Sequence, residues 1–160
     1  MNVEGYGVLI TGVPAIGKSS LALELLSQGY QLIADDVVDF YCANEIIIGQ
    51  CPQTLAGLLH TRELGLISVE MLFGDAAYQS DFKVDYIIEL SQQFDSQINL
   101  TLEKKTYIIL NKYFPLLTLS VNTPASLSTR LLCWLTMQEN SNLAKDEAKQ
   151  AQNSPINISK

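Results

Sequence analysis

Basic residues are scarce: ten Lys and Arg stand against 17 Asp and Glu, for a formal net charge of −7. They are also scattered, whereas a nucleic-acid binder needs a cationic face that displaces counterions from phosphate. No nucleic-acid partner is therefore expected. Histidine occurs once, as His60, which excludes a multi-histidine metal centre. Cys42, Cys51 and Cys133 are odd in number and lack C-x-x-C spacing, so they read as isolated reduced thiols rather than a disulfide framework or zinc site. No apolar run approaches the roughly 18 residues that span a bilayer, and the opening Met1-Asn2-Val3-Glu4 carries no basic leader region. The expectation is a cytoplasmic protein with no membrane partner. Nine Gly and 5 Pro in 160 residues, 48% of them hydrophobic, exclude collagen-like, low-complexity and wholly disordered classes. A chain of this length forms one domain with an unaided core.

What is present begins as strand, loop and helix. Residues 6–11 (YGVLIT) are a short apolar run bounded by a Gly-containing loop, the pattern of a buried strand. Between Lys18 and Gln28, Leu21, Ala22, Leu25 and Leu26 recur at helical spacing, and Gly29 follows where a left-handed residue closes a helix. Residues 31–34 read as a strand, 37–42 and 45–48 as a hairpin about Ala43-Asn44, 52–65 as a short helix and a loop, 66–68 as a strand and 69–73 as a helical turn before Gly74. Strands are predicted at 84–90, 106–110 and 114–121, and a terminal helix at 125–137. The fold class is α/β with a central sheet. Residues 1–137 form the predicted domain, and 138–160, rich in Asn, Gln, Lys and Ser, a disordered polar tail.

Gly12-Val13-Pro14-Ala15-Ile16-Gly17-Lys18-Ser19 satisfies G-x-x-x-x-G-K-[ST] in full. Such a loop turns successive backbone N–H groups inward onto phosphate oxygens, and the helix N-terminus adds its positive dipole end. Lys18 supplies a mobile charge for the β- and γ-phosphates, and Ser19 a hydroxyl for Mg²⁺. A chance match in a chain this long is expected on the order of once in a few hundred sequences, and the strand before and helix after are the context the motif requires. ATP and Mg²⁺ are the cofactors this implies, with Ser20 closing the loop.

Asp35-Asp36 follows where the strand carrying Leu32-Ile33-Ala34 runs out. Adjacent carboxylates repel, so the pair suits a metal or cation site, but Asp is equally at home in an exposed turn. The nearby nucleotide loop favours the functional reading: one carboxylate orients Mg²⁺ or its water and the other accepts a hydroxyl proton.

These residues resemble the catalytic domain of bacterial HPr kinase/phosphorylase. The likeness rests on Gly7 to Gly12, Ile16 to Ser19, Leu21 to Leu25 and Leu32 to Asp36, and continues in Leu58-Leu59-His60-Thr61-Arg62-Glu63-Leu64-Gly65-Leu66-Ile67-Ser68-Val69, which is similar to that family's signature segment, and in Leu72-Phe73-Gly74. The resemblance implies a P-loop domain of the type related to phosphoenolpyruvate carboxykinase, with a central mixed β-sheet flanked by helices. It implies an ATP-dependent kinase that phosphorylates a serine of the phosphocarrier HPr and reverses the step by phosphorolysis, in the regulation of carbohydrate metabolism. Asp36 would take the serine proton with Asp35 in support, Lys18 would neutralise phosphate, Ser19 would hold Mg²⁺, and Arg62, the signature arginine, would steady the transferring group. A homo-oligomer is implied as well, and a chain limited to the minimal catalytic module.

Departures from the family pattern carry their own expectations. Ser20 stands where the family has Glu, His60 replaces the signature Glu that binds Mg²⁺, and Glu63 replaces a Gly. The loop before the last helix reads Asn122-Thr123-Pro124-Ala125 and lacks the family's arginine, and the family's upstream assisting histidine falls before Met1 or is absent. A neutral imidazole is a poorer partner than carboxylate for a hard cation. Each lost contact is worth several kcal/mol to the transition state, roughly, so impaired chemistry is expected, and the phosphorylase direction suffers most. Without the resemblance, His60 reads as a surface or helix-end residue, Arg62 and Glu63 as solvated loop charges, and Leu131, Leu132, Trp134 and Leu135 as core or subunit contacts. Two other functions fit the loop: an ATP-binding regulator without turnover, and a small-metabolite kinase on the same fold.

Overall fold

Strand β2 (Tyr6–Thr11) and strand β8 (Tyr86–Ser91) are both apolar runs, and in β8 both Ile87 and Ile88 are fully buried, which a strand covered on its two faces requires. The two strands lie parallel with Leu9 opposite Ile87, and β10 (Lys112–Ser120) continues the parallel ladder with Leu116 opposite Ile87. Strands β1 (Asn2–Val3) and β9 (Thr106–Ile109) add antiparallel edges, giving a five-stranded mixed sheet in the order β1-β2-β8-β10-β9. The computed structural model describes residues 1–93 and 105–152. They divide into two compact units, Met1–Pro124 and Ala125–Lys160.

Within the first unit, β3 (Asp39–Ala43), β4 (Ile46–Gln50) and β7 (Asp81–Lys83) form a three-stranded antiparallel sheet, and β5 (Leu58–Thr61) pairs with β6 (Gly65–Ser68) as a hairpin. Ile47 of β4 is buried in one cluster with Ile87, Ile109 and Phe114, with Leu9, Phe40, Val84 and Leu116 packed around it. The central sheet and the β3-β4-β7 sheet thus share a core. Helix α1 (Lys18–Ser27) buries Leu21, Ala22, Leu25 and Leu26, the predicted stripe. Gly29 at φ +91° ends it: the Tyr30 N–H bonds the Leu25 carbonyl at 3.1 Å and the Gly29 N–H the Leu26 carbonyl at 3.0 Å, a Schellman closure. Helix α2 (Val69–Phe73) is capped by Ser68, whose Oγ accepts from the Met71 N–H.

Several elements differ from the sequence-based expectation. Residues 31–34 form no strand; Gln31 and Leu32 make isolated bridges to Asn2 and Tyr78. The β3–β4 hairpin turns at Asn44-Glu45 rather than Ala43-Asn44, with φ +48° and +66°, the left-handed pair that matches the twist of a two-residue hairpin. Strand β5 occupies part of the segment read as helix and loop, and β1 and β7 were too short or too polar to be seen.

In the second unit, α3 runs Leu127–Gln152 and corrects both the helix end at Met137 and the disordered tail from Gln138. The stretch 138–152 is rich in Glu, Lys, Gln and Ala, which favour helix without large apolar residues. Ser126 starts this helix, its Oγ accepting from the Thr129 N–H at 3.4 Å. The remainder of the expected tail, 153–160, lies outside the described residues.

Candidate active site

The loop between β2 and α1 is shaped by its two glycines for different reasons. Gly12 adopts φ +138°, and a Cβ there would sit 2.8 Å from the Leu90 carbonyl oxygen of β8. Gly17 adopts φ +113° in open space, so the backbone conformation alone demands glycine. Ile16 is buried and anchors the loop, while Val13, Pro14 and Ala15 at its tip are exposed. Gly17 is also the N-cap of α1 and offers no side-chain cap, which leaves the first-turn N–H groups to an external acceptor. Lys18 folds back across the loop, its Nζ donating to the carbonyls of Gly12 at 3.1 Å and Val13 at 3.3 Å. Loop, helix N-terminus and ammonium group converge as a triphosphate requires.

The acid side comes from Asp35. Leu32 fastens the preceding segment: its N–H bonds the Ala77 carbonyl at 2.8 Å and its carbonyl accepts the Gln79 N–H at 2.9 Å. Three residues on, Asp35 Oδ1 accepts from Ser19 Oγ at 3.1 Å and Oδ2 accepts from the His60 backbone N–H at 2.8 Å. Burial raises the Asp35 pKa above the ordinary carboxylate value; the hydrogen bonds from His60 and Ser19 pull it down, and the neighbouring Asp36 charge pushes it up again. Asp36 itself is exposed, as are Ser20, His60 and Arg62. Arg62 lies in the β5–β6 turn two residues after the His60 N–H that holds Asp35, and among the described residues it makes no ion pair. A cavity of about 70 Å³ lies beside Lys18 and Asp35 and is walled by apolar groups such as Ile10, Ala22, Ile33 and Phe40.

Lys18, Ser19 and Asp35 are thus brought together as the sequence suggested. The contribution of strand β5 was not legible, because it acts through a backbone N–H that carries no side-chain signature. The residues fit both cofactors. The uncapped helix start and Lys18 suit phosphate oxygens, and the Ser19 hydroxyl against a carboxylate is a hard-oxygen donor set of the kind Mg²⁺ takes alongside water and phosphate. Among the described residues there is no cluster of three or more His, Cys, Asp or Glu side chains able to cage a metal alone. Nor is any described helix long and apolar enough to cross a membrane.

The family model for the HPr Serine kinase C-terminal domain matches residues 1–153. The chain belongs to that family. It is 39% identical over 112 residues to proteins named HPr kinase/phosphorylase from Burkholderia cenocepacia (strain HI2424) and from Paraburkholderia phymatum, a match covering 69% of this chain and 35% of each relative. The matched part is thus about a third of the length of those curated relatives. The solved structure of the Hpr(Ser) kinase/phosphatase from Coxiella burnetii superposes with a TM-score of 0.86 at 28% identity, covering 96% of this chain and 94% of that one. The mixed sheet with its nucleotide loop is therefore the HPr kinase fold, and the α/β expectation holds.

Proposed function

We propose that this chain is the catalytic part of an ATP- and Mg²⁺-dependent serine kinase whose acceptor is the phosphocarrier HPr, acting in the cytoplasm as a homo-oligomer in the control of carbohydrate metabolism. One observation carries the reading: Ser19 Oγ, at the head of the helix that follows the phosphate loop, is hydrogen-bonded to Asp35 at 3.1 Å. That contact joins a hydroxyl suited to a metal to a carboxylate, and Lys18 lines the same cavity as that carboxylate, which supports the reading.

Bound Mg-ATP supplies the γ-phosphoryl group with its oxygens partly neutralised. Lys18 and the first-turn N–H groups of α1 hold those oxygens and oppose the charge that develops on them. Ser19 and Asp35 present oxygen to the metal side. Asp36, exposed beside Asp35, takes the proton from the acceptor serine hydroxyl as its oxygen bonds to phosphorus and the bond to the β-phosphate oxygen breaks. Arg62, on the hairpin that holds Asp35, steadies the transferring group. Ser20 and His60 stand where the family carries carboxylates, so turnover is slow, and the 122–125 loop lacks the arginine that would hold inorganic phosphate, so phosphorolysis is slower still.

The test is direct: titrate ATP with and without Mg²⁺, then follow γ-phosphate transfer to HPr. Transfer to a serine of HPr supports the kinase. Binding without transfer replaces it with a nucleotide-binding regulator, and transfer to small hydroxylated metabolites alone replaces it with a metabolite kinase.

A further inference from the structure

Apolar side chains that a folded chain ordinarily covers are exposed beside the acid pair. Val37, directly after Asp36, is 46% exposed. On the β5–β6 hairpin, Leu64 and Leu66 are each 64% exposed, and on α2, which follows without a break, Met71 is 87% and Leu72 61% exposed. The same elements anchor themselves through Leu59 and Val69, both fully buried. Hairpin and helix are thus held from one side and leave their other apolar side uncovered. The register His60↔Leu66 puts Leu66 on the face shared with His60, the residue whose N–H holds Asp35. Single exposed apolar residues are ordinary and occur elsewhere on this chain, but four of them within residues 64–72, next to a reacting group, mark a protein contact.

The fringe of this surface is acidic. Glu63, Glu70 and Asp75 are all exposed, and Arg62 is the only Lys or Arg between Gly57 and Ala77. Such a fringe attracts a basic partner and repels an acidic one such as a second copy of this chain, whose net charge is −7. Resting on the kinase reading above, we infer that β5–β6 and α2 are the docking surface for the acceptor protein, which meets it with an apolar face fringed by Lys or Arg. Docking there delivers the acceptor hydroxyl to Asp36, because the same hairpin is hydrogen-bonded to Asp35.

The experiment reads HPr binding to the full chain by calorimetry, separately from phosphate transfer. Met71→Lys and Leu66→Lys each weaken HPr binding by about tenfold or more. Glu70→Lys weakens it severalfold, and less at high salt. Met71→Leu binds like the parent, and ATP affinity is unchanged in all four. Met71 is nearly fully exposed, so its variants keep the fold and the unchanged ATP affinity verifies it. Undiminished HPr binding by Met71→Lys and Leu66→Lys overturns the inference, as does absence of HPr binding by the parent chain. Sedimentation showing that these variants dissociate a homo-oligomer also overturns it and assigns the patch to a second copy. Patch-dependent binding without any transfer by the parent upholds the docking surface and removes the kinase reading instead.

Discussion

Ser19 and Asp35, sixteen residues apart in the chain, meet at 3.1 Å, hydroxyl to carboxylate, so the start of α1 and the acid segment are one hydrogen-bonded unit. Asp36, next in sequence, shares none of this and faces solvent. Environment thus separates two adjacent acids into a hydrogen-bonded, half-buried one and a solvent-facing one.

Asp36→Asn tests that separation. It is expected to leave ATP binding intact and to lower phosphate transfer by about 10²–10⁴-fold, the ordinary worth of a general base. Single-turnover transfer to HPr measures it; normal transfer by this variant takes the base role away from Asp36.

Lys18→Ala removes the charged donor from the loop while sparing its glycines. Loss of a hydrogen bond to a charged group is worth about 1.5–3 kcal/mol, so nucleotide affinity is expected to fall roughly 10- to 150-fold. Titration with a fluorescent ATP analogue gives the ratio, and unchanged affinity contradicts any phosphate role for the loop.

Asp35 is expected to trade stability for function. Its folded pKa lies above the ordinary value of 3.8 because burial penalises the charged form. The stabilisation from its proton is therefore complete below the ordinary carboxylate pKa and is lost as pH rises through the folded value. Asp35→Asn keeps the shape without the charge, so the variant should gain on the parent in urea unfolding as pH is raised from about 4 toward 7, while losing Mg²⁺-dependent transfer. A gap independent of pH removes burial as the cause of the shift.

Gly7→Ala and Gly17→Ala separate steric from conformational need. A Cβ at Gly7 would lie 1.6 Å from the Lys83 carbonyl oxygen, so β2 and β7 must part and the chain loses several kcal/mol, roughly. At Gly17 nothing lies within 4 Å and only φ +113° is strained, a cost of about 1–3 kcal/mol. Thermal melts should therefore rank Gly7→Ala as the more damaging change, although Gly17→Ala alone disturbs ATP binding.

The site was legible in the sequence where side chains carry the chemistry at fixed local spacing. Gly12 to Ser19 lies on one strand–loop–helix unit, whose strand is a compact apolar run and whose helix repeats Leu21, Ala22, Leu25 and Leu26 at helical spacing. Strand β5 was missed because Leu58-Leu59-His60-Thr61 has no alternation and becomes a strand only by pairing with β6. Segment 31–34 erred the other way: its apolar run suggested a ladder, but only Gln31 and Leu32 find bridging partners. In α3 the absence of large apolar residues outweighed good intrinsic propensity, and the helix extends to Gln152.

The pinning of Leu32 between Ala77 and Gln79 orders events during synthesis. All of α1 has emerged from the ribosome once residue 29 has, but the loop before it rests on Leu90 of β8 and the carboxylate partner of Ser19 waits for the backbone bonds of the 77–79 strip. A nascent chain therefore acquires its acids and its phosphate grip together, and only after β8 has followed.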